Sequence, residues 1–195
     1  MRLTCEVTSP EVTETIGEVI GHHLRAGDLV MLSGDLGAGK TTLTRGIGRA
    51  WGIEDEVASP TFIIARAHHV ENGPNLVHVD AYRIGDLDDL ETLDLATALI
   101  DSVVVVEWGE GKTETLSESR LTIHFTVDSG FDIDQAMRGE LEAMDTGRRR
   151  IDIHGIGQRW DDEAVVRRLT AEIARVTAAS GTTRTNAGRE EASCD

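Results

Sequence analysis

Between Gly34 and Gly46 the chain reads GDLGAGKTTLTRG, a run in which glycines lead directly into a lysine and two hydroxyls. The stretch Gly34-Asp35-Leu36-Gly37-Ala38-Gly39-Lys40-Thr41 fits the spacing G-x-x-x-x-G-K-[ST]. Glycines at this spacing let successive main-chain N–H groups turn inward without Cβ clashes, forming a nest for phosphate oxygens. A helix beginning near Lys40 aims its positive dipole end and its unpaired N–H groups at the same anion. Lys40 can reach the β- and γ-phosphates, and the Thr41 hydroxyl can ligate Mg²⁺. The competing reading is an ordinary turn with a solvated lysine, and the flanking sequence decides against it. An apolar run, Leu29 to Ser33, precedes the loop, and a helical pattern from about Lys40 to Trp51 follows it. The expected ligands are a nucleotide and Mg²⁺, held by Gly34, Asp35, Leu36, Gly37, Ala38, Gly39, Lys40, Thr41 and Thr42.

Such a loop needs a carboxylate from a neighbouring strand to hold the metal or orient water. Asp80 ends the run LVHVD and Glu107 ends VVVVE. Both stand at the carboxyl ends of apolar runs, where open α/β sheets bind ligands. Either acid can ligate Mg²⁺, directly or through water, and either can position the attacking water. Glu107 is the expected metal ligand, with Asp80 on a metal-bound water or the nucleophile. Residue order alone does not separate these roles, and the plainer reading of each is an acid capping a strand at the rim.

The elements that must position these groups follow from periodicity. RLTCEVTS alternates as a first strand. Ser9-Pro10 reads as a helix cap with proline at the first helical position, Val12, Ile16, Val19, Ile20 and Leu24 recur at helical spacing, and Gly27 is expected to close that helix. Leu29 to Ser33 and Val103 to Glu107 read as strands buried on both faces. TFIIARAHHV and LVHVD, separated by Asn72-Gly73-Pro74, predict a hairpin-like pair. Residues 86–101, with Asp86, Asp88, Asp89, Glu91, Asp94 and Asp101 and no Lys or Arg, predict an acidic amphipathic helix or a loop plus helix. RLTIHFTV and RRRIDIHG predict late antiparallel strands joined by an irregular stretch around 129–147. The fold class is α/β, a P-loop NTPase-like three-layer sandwich with a mixed, mainly parallel central sheet and antiparallel late strands. Residues 1–157 are expected to form the P-loop domain, 158–179 a C-terminal amphipathic helix, and 180–195 a disordered tail poor in apolar residues.

Composition narrows the function classes. A formal net charge of −16 argues against broad nucleic-acid binding, which needs a Lys/Arg surface. Cys5 and Cys194 make no disulfide framework or metal-spaced pair. The N-terminus is too polar for a signal peptide, and the aliphatic run Val103 to Val106 is far too short to span a bilayer. A soluble cytoplasmic protein with no membrane contact is expected. His22-His23, His68-His69 and His78 show no metal-site spacing.

Four motifs in order, GDLGAGKTTLTRG, SPTF (Ser59 to Phe62), HVDAYR (His78 to Arg83) and VEWGE (Val106 to Glu110), resemble the TsaE family over about residues 5–155. The family comprises the ATPases of bacterial tRNA threonylcarbamoyladenosine biosynthesis. The resemblance implies a small Mg²⁺-dependent ATPase, weak alone, that supports turnover of TsaD-like and TsaB-like partners and meets tRNA only through that complex. Carried over by position, it implies that Gly37 to Thr42 cradle the phosphates and that Thr41 and Glu107 hold Mg²⁺. It puts Thr61 in the place of a switch threonine that senses the γ-phosphate, although Ser59-Pro60 also suit a plain turn. Trp108 would pack over the nucleotide site or a partner, or serve as a core residue. Thr13 would approach the base or sugar. Gly147-Arg148 resembles a late nucleotide contact, against the alternative of a solvated basic run at Arg148 to Arg150. Tyr82 and Arg83 would brace the site or face a partner.

Two other functions fit a phosphate loop. A P-loop small-molecule kinase usually carries a lid with several arginines, and the acid-rich region after the first unit shows none. A nucleotide-gated binding module with negligible turnover would differ between its ATP and ADP forms in the SPT loop.

Overall fold

The computed structural model describes residues 1–53, 57, 64–71, 73–84, 92–128, 147–181 and 185–188. Strand β1 (Arg2–Val7) is followed by helix α1 (Pro10–His23). Ser9 caps α1 through its side chain, which accepts from the Val12 N–H, and Pro10 occupies the first helical position, where a missing N–H costs nothing. The helix closes at Leu24, earlier than the expected Gly27. Gly27, at φ 93°, instead turns the chain into β2, its N–H donating to Ser102 O. Strand β2 (Leu29–Gly34), the glycine-rich loop and helix α2 (Lys40–Arg49) make the expected strand–loop–helix unit.

Strands β3 (Ala65–His68) and β4 (Asn75–Asp80) pair antiparallel, and a single 3₁₀ turn, Ala81–Arg83, follows β4. Within the acidic segment, α3 (Leu95–Ala98) is helical, while residues 85–91 lie outside the described residues. Strands β5 (Ser102–Glu107), β6 (Arg120–Val127) and β7 (Arg149–Ile156), helix α4 (Glu163–Ala179) and strand β8 (Thr185–Gly188) complete the chain. The sheet order is β3-β4-β5-β2-β6-β7-β1-β8. Its centre, β4-β5-β2-β6, is parallel, and β6-β7-β1 and both edges are antiparallel. This is the mixed α/β sandwich that periodicity predicts. One segment departs from expectation: Thr185–Gly188, read from composition as part of a disordered tail, pairs with Arg2–Cys5 of β1. Backbone pairing to an edge needs no apolar side chains, so composition carried no sign of it. The irregular stretch at 129–146 lies outside the described residues.

Two apolar clusters sandwich the sheet. On one face, Ile16 and Ile20 of α1, Leu43 and Ile47 of α2, and Leu169 and Ile173 of α4 pack on Val30, Leu32, Val103, Val105 and Ile123. On the other, α3 and the turn after β4 cover Leu29, Met31, Val79, Val104 and Val106. The C-terminal helix is therefore part of the first of these clusters. Helices α1 and α2 cross so closely that a Cβ on Gly46 would lie 1.9 Å from Glu14 O. That approach fixes the axis of α2, and with it the position of Lys40 and Thr41 at its first turn.

Candidate functional site

The loop runs from the end of β2 to the start of α2, and two of its glycines are required by geometry. Gly34 has φ 126°, and a Cβ there would sit 2.4 Å from Phe125 O. Gly39, at φ 115°, is the left-handed residue that caps α2 without a side chain. The loop tip is closed by Ala38 N–H donating to Asp35 O at 3.1 Å, and Ala38 itself is buried in the core. Among the described residues, the amides of Leu36, Gly37 and Gly39 make no hydrogen bond. The first-turn N–H groups of Lys40, Thr41 and Thr42 have no intrahelical acceptor. An anion is the natural partner for such a set.

Lys40 is 4% exposed. Its ammonium donates to Gly34 O and Asp35 O, each at 2.8 Å, and lies 4.0 Å from the centre of the Trp108 ring. Burial pushes the ammonium below its ordinary range, and the carboxylates of Glu107, Asp80 and Asp35 oppose that shift. Three acids thus surround one cation. Thr41 Oγ1 donates to Glu107 Oε1 at 2.8 Å, joining groups 66 positions apart in the chain. Glu107 is 3% exposed, and its Oε1 also lies 2.9 Å from His78 Nε2. Asp80 pairs with Glu107 in the β4–β5 register, and its Oδ1 accepts from Tyr82 N–H at 3.0 Å. The rim-capping role considered for Asp80 is therefore one it does perform.

Trp108 follows Glu107 in a left-handed conformation, φ 60°, held by its N–H donating to Leu32 O at 2.9 Å. For a bulky residue this backbone is strained by about 1–3 kcal/mol, and such strain gathers at functional sites. The twist carries the ring over Lys40 and within 5.3 Å of the exposed Tyr82 ring. Thr13 is buried beside the loop. Its Oγ1 donates to Ser9 O at 3.3 Å, and its methyl carbon would stand 3.6 Å from a Cβ at Gly39. Arg148 is exposed at the head of β7, and the neighbouring Gly147 lies against Thr8 just before α1. Thr61 and the rest of the SPTF motif lie outside the described residues.

Two residues at this site were missed by sequence reasoning. His78 shows no metal-site spacing, yet it lies beneath Glu107, on the same face of β4 as Asp80. Period-two alternation in LVHVD was the available signal. Lys112 donates to Ala81 O at 2.9 Å and to Ile84 O at 2.7 Å, tying the loop after β5 to the turn after Asp80. No sequence pattern announced it.

The donor set suits a hard divalent cation. Among the described residues no group of three His, Cys, Asp or Glu side chains is placed to hold a metal. Mg²⁺, however, is usually held by one or two carboxylates together with phosphate oxygens and water rather than by an all-protein cage. Thr41, Glu107 and Asp80 supply oxygens of that kind, and their excess of negative charge over the Lys40 ammonium favours a cation. A cleft of about 1130 Å³ lies between α4 and the paired ends of β1 and β7, and one of about 580 Å³ lies on the sheet face carrying Thr122, His124 and Asp152 and reaches Ser33 beside the loop; neither is lined by residues 34–42, Asp80 or Glu107. A nest of main-chain amides grips an anion at the surface and needs no deep cavity. Cys5 offers no rival chemistry, because burial, helped by the Asp152 charge, pushes its thiol up to about 12. Among the described residues no helix is long and apolar enough to cross a membrane.

The family model described as "Threonylcarbamoyl adenosine biosynthesis protein TsaE" matches residues 7–133. The tRNA threonylcarbamoyladenosine biosynthesis protein TsaE of Streptomyces coelicolor is 52% identical over 147 residues, covering 74% of this chain and 91% of that protein. Its counterpart in Mycobacterium tuberculosis is 48% identical over 128 residues, covering 62% of this chain and 76% of that protein. Among solved structures, YdiB of Bacillus subtilis superposes with a TM-score of 0.62 at 28% identity, covering 90% of this chain and 95% of that one. The matched residues span the glycine-rich loop, Asp80, Glu107 and the strands that carry them, and the chain belongs to the TsaE family.

Proposed function

We propose that this protein is a Mg²⁺-dependent ATPase that serves threonylcarbamoyladenosine modification of tRNA through nucleotide-dependent association with TsaD-like and TsaB-like proteins. The observation that carries the reading is the 2.8 Å contact between Thr41 Oγ1 and Glu107 Oε1, beside the buried ammonium of Lys40. It joins a phosphate-loop hydroxyl to the strand-end acid that such chemistry requires. Family membership and the names of the relatives support the link to threonylcarbamoyladenosine.

In this mechanism the free amides of Gly37 and Gly39 and the first turn of α2 bind phosphate oxygens. Lys40 exchanges its two neutral carbonyl acceptors for the ionised oxygens of the β- and γ-phosphates, so that both donor and acceptor of the bond carry charge. Thr41 and Glu107 hold Mg²⁺, which when bound offsets charge on the transferred phosphoryl group. Asp80, in register with Glu107 one strand over, orients the attacking water. Trp108 and Tyr82 wall the mouth of the site, while Thr13 and Arg148 stand on the α1 and β7 side and approach the base or sugar. Thr61 is assigned the γ-phosphate contact.

Hydrolysis measured on the purified chain, with and without TsaD-like and TsaB-like proteins, tests the reading. The expected result is slow release of phosphate alone and faster release with the partners. Equal rates in both mixtures would refute coupling to the assembly, and stoichiometric transfer of phosphate to a small hydroxyl acceptor would indicate a kinase.

A further inference from the structure

His78 is fully buried, at 0% side-chain exposure, on the helix-facing side of β4. One ring nitrogen, Nε2, lies 2.9 Å from Glu107 Oε1. The other, Nδ1, is buried and has no hydrogen-bond partner among the described residues. A carboxylate oxygen that already accepts from Thr41 is an acceptor, so the 2.9 Å contact requires the proton on Nε2, and whichever form the ring takes Nδ1 is left unsatisfied. Burying a polar group without a partner is destabilising, so an apolar residue would suit the strand better if packing were the only need. The neighbours on that face, Leu76 and Val105, show what packing alone selects there. What the histidine adds is one directed N–H at the acid. Glu107 Oε1 accepts from both His78 and Thr41, so its carboxylate is held from beneath by the sheet and from above by α2.

We propose that His78 is a positioning residue for the metal–nucleotide site: its Nε2–H fixes the Glu107 carboxylate so that Oε1 faces Thr41 and Oε2 remains for the metal and its water. The role rests on the reading of the loop as a Mg²⁺–ATP site. Hydrogen bonds of this kind, one shell out from a metal ligand, commonly change metal affinity by about 10–100-fold. His78 touches neither loop nor phosphate and should leave metal-free nucleotide binding alone.

The test uses the full-length protein and two polar variants. His78→Gln places an amide N–H near the position of Nε2, whereas His78→Asn is too short to reach Glu107. Calorimetric titration with ATP, in EDTA and in Mg²⁺, gives the gain in affinity due to the metal. The expected result is that His78→Asn loses about tenfold or more of that gain, with its EDTA affinity unchanged, and that His78→Gln recovers most of it. Equal behaviour of the two variants, whether both retain the gain or both lose it, would overturn the proposal. A wild-type protein that binds no ATP under either condition would instead overturn the nucleotide reading, and this role with it. Should His78→Asn fail to fold, ¹⁵N spectra of the wild-type imidazole decide. A protonated Nε2 whose resonance moves in Glu107→Gln supports the role, and a ring protonated at Nδ1 alone or an unmoved resonance refutes it.

Discussion

The two ends of the central sheet both bury charged groups, and they treat them differently. At the loop end, Lys40 lies under Trp108, and the bonds of Lys40, Glu107 and Asp80 go to carbonyls, a threonine hydroxyl, a histidine and a main-chain N–H. Three carboxylates face one ammonium there, several main-chain amides are unpaired, and Trp108 is held at φ 60°. At the opposite end, Arg159 donates to His23 O at 2.6 Å and lies 3.4 Å from Asp28 Oδ1, while His23 meets Glu172 of α4 at 3.0 Å. Those groups join the C-terminal helix to α1 and to the turn before β2. Burial pushes the Asp28 carboxyl up, and the Arg159 charge works against that shift. One end holds charge and amides in readiness for a ligand, and the other closes charge on itself. Burial alone does not distinguish a site from a strut, and neither does a single unsatisfied donor, since Arg159 Nε is buried at the closed end without a hydrogen bond among the described residues; unpaired main-chain amides together with unbalanced charge do.

Substitutions at the two ends should separate along the same line. The largest effect is expected from Glu107→Ala, which removes the acid shared by Thr41 and His78. ATP hydrolysis should fall by about a hundredfold or more, the scale of a positioned acid or base, and Mg²⁺-dependent affinity should fall with it. Loss of turnover with the Mg²⁺ effect intact would move the metal to Asp80. Next comes Arg159→Ala, which leaves Asp28 buried without its partner. Denaturant unfolding should show a loss of about 3 kcal/mol, the usual consequence of breaking a buried pair, with ATP affinity unchanged. A parallel fall in affinity would show that the two ends are coupled and that the contrast drawn between them is wrong.

Lys40→Ala should weaken ATP binding by about 2 kcal/mol, the worth of a charged hydrogen bond, or about thirtyfold in Kd by calorimetry. The smallest effect concerns pH. Burial raises the Asp152 carboxyl on β7, but hydrogen bonds from Arg150 and Thr4, with the Arg150 and His124 charges, outweigh it and hold the group below its ordinary value of 3.8. A depressed folded value means that the stabilisation is present above pH 3.8 and is lost as pH falls through the folded value. Melting curves of Asp152→Asn against wild type should therefore converge in acid and differ modestly at neutral pH, with nucleotide binding unaffected. A difference that widens in acid would reverse the assignment.

Local chemistry made much of this protein legible from its sequence. Ser9-Pro10 marks the start of α1, Gly34 and Gly39 stand where positive φ is needed, and Val103 to Glu107 is apolar enough to be central in any sheet. Each signal depends on residues within a turn or a strand of one another. The same locality explains the errors: β8 pairs through its backbone, the end of α1 was set by the chain turning into β2, and His78 lacked any spacing that spells a metal site. What only the tertiary structure decided is which distant groups meet. The parallel register that puts Asp80 beside Glu107, the close crossing at Gly46 that sets Lys40 and Thr41, and the bond from Thr41 to Glu107 all arise between segments far apart in the chain. Side-chain type fixes what a group can donate or accept, but packing alone determines what stands within 3 Å of it.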